Sequence, residues 1–179
     1  MTDSPAGHDS ALHRAKRPRT VLAGPYGHPV HATLITLPIG AWTASIVFDI
    51  LALATHDDAF AVGAIWLIAI GLVGAVLAAI FGLMDFSNVA AGTRARKIGV
   101  AHLVLNATAT VLFLVSLLVR VGEPDDPNVL GFLLSILAFL VTGGSGFLGG
   151  ELAYRFGVRV ADEGTQSRGY ETTTAGRKD

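Results

Sequence analysis

FAVGAIWLIAIGLVGAVLAAIFGLM, residues 60–84, carries no ionisable side chain from one end to the other. An α-helix rises 1.5 Å per residue, so about 20 apolar residues cross a hydrocarbon layer of roughly 30 Å. This stretch is long enough, and it offers no polar face to water, as a surface helix of a soluble domain would. Three further segments have the same character. Residues 33–54 hold a single charge, Asp49; residues 98–119 hold only His102; residues 129–150 hold none. The expected fold is therefore all-α, an integral membrane four-helix bundle over residues 27–160. A polar, basic segment, 1–26, precedes it. The tail, 161–179, turns to Asp, Glu, Gly, Thr, Ser and Arg, a composition expected to be disordered.

The whole chain agrees with this reading. Of 179 residues, 51% are hydrophobic and only 15% charged, with a mean hydropathy of +0.55, too apolar for an ordinary soluble domain. The medium in contact with most of the surface is expected to be a lipid bilayer. A net charge of -1 provides no field for a nucleic-acid partner. There is no cysteine, which excludes disulfides, thiolate zinc sites, iron–sulfur clusters and thioether-bound haem. Any metal or cofactor has to be held through nitrogen and oxygen.

Orientation follows from lysine and arginine beside the apolar runs. Arg14, Lys16, Arg17 and Arg19 precede the first run, Arg94, Arg96 and Lys97 lie between the second and third, and Arg155 and Arg159 follow the fourth. The other two loops carry almost none. Both termini are thus expected on the cytoplasmic side of a bacterial inner (plasma) membrane, crossed several times. The polar start has no apolar run ending in a cleavage site, so the first span is expected to act as an uncleaved anchor.

Small residues recur every fourth position on the second span, at Gly74, Ala78 and Gly82 and at Gly71, Ala75 and Ala79; Gly146 and Gly150 repeat the pattern on the fourth. Such faces let membrane helices approach closely. The density of Gly143, Gly144, Gly146, Gly149 and Gly150 would also leave room for a flat ligand. It is no phosphate loop, because no Lys-Ser or Lys-Thr follows it. No inverted repeat is visible, which weighs against a transporter.

Applied to that topology, most polar groups fall at one level. His28 and His31 begin the first span, Asp85 closes the second, His102 and Asn106 lie one and two turns into the third, and Glu151 and Arg155 end the fourth. Ionisable groups at membrane depth are costly and tend to face the bundle interior, which makes this layer the candidate site. Two chemistries suit it. A b-type haem could be held by His31 and His102 with Asn106 orienting the latter, or a quinone could dock there. A divalent metal could be held by His28, His31, Asp85, His102 and Glu151. The competing reading is a hydrogen-bond network that only locks the helices. Asp85 and Glu151 would then be solvated helix ends, with Arg155 compensating Glu151, and His28 would merely precede Pro29 at a helix start. Asp49 stands apart, either pairing with Arg120 or marking the opposite interface. Pro38 predicts a kink near Leu34. No Gly-x-Ser-x-Gly, His-Glu-x-x-His or dinucleotide fingerprint is present, so nothing marks an enzyme.

The stretches GHPVHATLITLPIGAW (27–42), GLMDF (82–86), the helix of His102 and Asn106, and GGSGFLGGELAYRFGV (143–158) together resemble a bacterial four-helix membrane family catalogued as domain of unknown function 2231. Some of its members are fused to Rieske or cytochrome-like domains. The resemblance implies a respiratory or electron-transfer setting. This chain has no such domain, so a redox role would need a separate respiratory or redox protein partner. The alternative is a structural or assembly subunit without a cofactor.

Overall fold

The computed structural model describes residues 5–170, and these are all-α, without a strand. A polar helix, α1 (Pro5–Lys16), and a 3-10 turn (Pro25–Gly27) lead into the first span, formed by α2 (Val30–Leu34) and α3 (Thr36–Thr55). The remaining spans are α4 (Asp58–Phe86), α5 (Arg94–Leu118) and α6 (Val129–Gly150), the last continued by a π-turn at Glu151–Arg155. All four are long and apolar enough to cross a membrane. Their boundaries lie within a few residues of those read from sequence.

Local chemistry sets these limits. The side chains of Asp57, Thr93 and Asn128 accept from the main-chain N–H of Ala59, Arg96 and Gly131, capping α4, α5 and α6. His56 ends α3 in the left-handed region, with φ 56°. The first span breaks at Ile35, one turn before Pro38, where the proline ring crowds the carbonyl of Leu34.

Packing is densest within the pairs α3–α4 and α5–α6, and the pairs meet through α4–α5 and α3–α6. The order around the bundle is therefore α3, α4, α5, α6, with α3 and α5 diagonally opposed. Both run from the end that bears the first and last described segments, the terminal end, toward the end formed by the short loops, the loop end.

The two hairpins repeat one another in parallel. Asp49 and Arg120 are 71 positions apart, and the same offset superposes the inward faces of α3 and α5. It matches His31 with His102, Pro38 with Ala109, Trp42 with Phe113, and Ser45 with Ser116. Pro38, Ala109 and the last two pairs are all buried. Trp42 and Phe113 stack on the bundle axis with ring centroids 4.1 Å apart. On the returning helices, Ala64, Ile68, Gly71 and Ala78 of α4 match Gly131, Ser135, Ala138 and Ser145 of α6, and all eight are buried.

The glycine faces differ from expectation on one helix. On α4 they do pack: a Cβ at Gly71 would lie 2.2 Å from the Trp42 ring, and one at Gly74 would meet Leu37 and Pro38. On α6, a Cβ at Gly143, Gly144, Gly146 or Gly150 would meet nothing within 4 Å. The expected Gly146–Gly150 contact face is open. The α6 glycines that pack are Gly131, against Arg120, and Gly149, against His102.

Beyond the bundle, the tail expected to be disordered holds a short helix, α7 (Glu163–Arg168), capped by Asp162. Hydrogen bonds from the Thr165 N–H and hydroxyl hold the Asp162 carboxyl below its usual range. Residues 1–4 and 171–179 lie outside the described residues.

Candidate functional site

His31 and His102 occupy equivalent places and are held in equivalent ways. The Nδ1 of His31 donates to the carbonyl of Ala78 on α4 at 2.8 Å, and the Nδ1 of His102 donates to the carbonyl of Ser145 on α6, also at 2.8 Å. A carbonyl only accepts, so in both rings Nδ1 carries a proton, and in the neutral ring Nε2 is then the nitrogen with the lone pair. Each ring lies on a glycine one turn beyond its acceptor. A Cβ at Gly82 would come 2.9 Å from the His31 ring, and one at Gly149 would come 3.0 Å from His102. A side chain at either position would push the imidazole off its helix.

The two rings then diverge. Asn106 Nδ2 lies 3.0 Å from His102 Nε2, donating to it, and 3.0 Å from the His102 carbonyl. The Ser145 hydroxyl lies 3.0 Å from His102 Nδ1 and 3.1 Å from the His102 carbonyl, to which it donates. In the first hairpin Ile35 matches Asn106 and Ala78 matches Ser145, and neither side chain has a polar atom to offer. Among the described residues, His31 Nε2 has no hydrogen-bond partner. His31 lies within electrostatic reach of both His102 and Asp85.

The remaining members of the expected layer are engaged elsewhere. Asp85, at the end of α4, meets Arg159, with Oδ1 2.9 Å from Nε and both side chains buried. Glu151 lies 3.3 Å from Arg155, as expected, and 3.9 Å from Arg94. His28 is exposed, and its contact with this layer is through its carbonyl, which accepts from Arg159. Among the described residues, no three histidine or carboxylate side chains gather at metal-ligand spacing, so His28, His31, Asp85, His102 and Glu151 are not assembled as one ligand set.

At the loop end, Asp49 does pair with Arg120, and both side chains are almost fully buried. The contact is a two-pronged fork, with Nη2 2.9 Å from Oδ2. Arg120 Nε also donates to the Ser116 hydroxyl, which lies 2.9 Å from that of Ser135. This junction ties α3, α5 and α6 together and leaves no polar atom of the pair unmatched.

Sequence reading missed three contributors. The Ala78 and Ser145 carbonyls are main-chain groups that no residue type announces. Arg159 was read only as a topology marker. Aligning the chain on itself, with His31 over His102 at an offset of 71 and then, one turn shorter, Ala78 over Ser145 at an offset of 67, would have exposed the repeat that places Ser145.

Residues 27–162 match a family model described as predicted membrane protein (DUF2231), and this region contains all four spans and Arg159. No curated protein and no solved structure matches the chain.

Proposed function

The chain belongs to this family of predicted membrane proteins, DUF2231, and from that premise we propose that the His31–His102 layer is a redox-associated ligand site at the cytoplasmic end of the bundle. A b-type haem would be held through the Nε2 atoms of the two imidazoles. The observation that carries this reading is the duplicated support, Nδ1–H on a main-chain carbonyl and ring on a glycine, in both hairpins. Fixing Nδ1 in this way is how proteins hold an imidazole whose other nitrogen ligates iron. A bis-imidazole haem supplies one-electron transfer. The residues present bind and orient it, and Asn106 keeps the His102 carbonyl as partner when Nε2 turns to a ligand. Electrons would come from a respiratory or redox protein in the bacterial inner membrane.

The absorption spectrum of protein purified in detergent from its native membrane is the test. A Soret band that disappears in both His31→Ala and His102→Ala supports the site. Iron-free protein with bound quinone would keep the site and change its ligand. Finding neither haem, metal nor quinone, with both variants stably folded, would overturn it. That outcome favours a structural or assembly subunit, a reading to which Asn106 lends support because it already satisfies His102 Nε2. Reporter fusions after Asp58 and Asp126 should lie outside and those after Thr93 and in the tail inside; an outside signal from the Arg94 loop would reverse the orientation.

A further inference from the structure

Arg159 follows the last span, yet its side chain is only 6% exposed. It is drawn back against the terminal end of the bundle, in the left-handed region with φ 60°, a conformation that costs a residue with a Cβ about 1 kcal/mol or more. Its main-chain N–H donates to the Ala15 carbonyl at 3.0 Å, and its Nη2 donates to the carbonyls of Ala23 and His28 at 3.3 Å. Gly24 passes so close that a Cβ there would lie 2.4 Å from Nη2. Two weaker contacts run beside it: Lys16 pairs with Glu163 at 3.0 Å, and Asn88 donates to the Arg17 carbonyl at 3.0 Å.

The contact with Asp85 is close but poorly aligned. Nε and Oδ1 are 2.9 Å apart, yet Asp85 Oδ1 and Arg159 Nε and Nη1 are buried without a directed hydrogen bond among the described residues. A buried ion pair recovers its desolvation cost only when its remaining donors and acceptors are satisfied. This one is therefore closed at low net gain. It stands where Asp85 and His31 would otherwise open to water.

We propose that residues 15–28 and 157–163 form a strap across the terminal end of the bundle, pinned by Arg159 on Asp85, and that its release is the route by which water-soluble molecules reach the layer of His31 and Asp85. The strap needs no ligand in that layer, so it stands or falls apart from the haem reading. The absence of cysteine makes the test direct. Ile35→Cys places one thiol on the inward face a turn from His31, and its reaction with a charged, membrane-impermeant methanethiosulfonate is followed in nanodiscs. Labelling should be slow in the otherwise native chain, rise about tenfold with Arg159→Gln, a loss of ~1.4 kcal/mol of closing free energy, and rise similarly with Asp85→Asn. Arg155→Gln, outside the strap, should leave the rate unchanged. Lys16→Gln loosens the strap without touching the pin and should give a smaller increase, which keeps the test open if Arg159→Gln does not fold. Fast labelling in the unpinned and native chains alike, or no increase in any strap variant of native stability, would overturn the proposal.

Discussion

The two hairpins share a plan and diverge in chemistry at several pairs of equivalent positions, among them Asp49 and Arg120, Ile35 and Asn106, Ala78 and Ser145, and Asp85 and its counterpart Leu152. Where they agree, they build the scaffold: stacked Trp42 and Phe113, buried Ser45 and Ser116, and imidazoles seated on Gly82 and Gly149. Where they differ, the difference is chemical. At the loop end, a carboxylate and a guanidinium at matching places neutralise one another across the axis, which two identical residues could not do. At the terminal end, one histidine is capped and the other is not. Duplication thus supplies position, and divergence supplies charge, polarity and the asymmetry on which a site depends.

The Asp49–Arg120 pair gives the largest expected effect. Removing one partner of a buried pair leaves an uncompensated charge, at a cost of about 3–5 kcal/mol. Arg120→Ala and Asp49→Ala should each cut the folded yield in detergent and lower the unfolding midpoint sharply. The exchange Asp49→Arg with Arg120→Asp is the sharper experiment. If the positions are equivalent, the double variant should recover most of the stability that either single change loses. A double variant as unstable as the singles would confine the equivalence to the sequence offset.

The spans, their ends and their number were legible because charge-free runs of membrane length have few alternatives. The Asp49–Arg120 pairing was legible as one of two options, since topology brings both to one face. The support of His31 and His102 was not, because main-chain carbonyls carry no residue signature. Arg159 was hidden for a different reason. Its partners, Ala15, Ala23, His28 and Asp85, belong to segments far away in sequence, and an arginine after a span reads first as a topology marker. The α6 glycines misled because Gly146 and Gly149 look alike in a string, whereas the helix turns one outward and the other onto His102.

The seats beneath the imidazoles come next in size. Gly82→Leu and Gly149→Leu should each cost about 1–3 kcal/mol by overpacking, and by similar amounts if the hairpins are true equivalents. Gly146→Leu serves as the control. Nothing lies within 4 Å of a Cβ there, so its unfolding midpoint should stay near that of the parent. A Gly146→Leu penalty as large as that of Gly149→Leu would mean that this open face meets another protein surface in the membrane.

Asn106→Ile carries the smallest expected effect and bears most directly on the asymmetry. It copies Ile35 into the second hairpin, removing the hydrogen bonds to His102 Nε2 and to the His102 carbonyl while leaving the Nδ1 contact with Ser145 in place. Hydrogen bonds between membrane-buried side chains average about 0.6 kcal/mol, so the unfolding midpoint should barely move. Reactivity should move more. In the parent chain, diethyl pyrocarbonate should modify His31 faster than His102, because the lone pair of His102 Nε2 is already engaged. In the variant the two rates, read from peptide masses, should converge, since both rings then have Nδ1 fixed and Nε2 free. A His102 that stays slow after the substitution would show that burial, rather than Asn106, sets the difference between the two imidazoles.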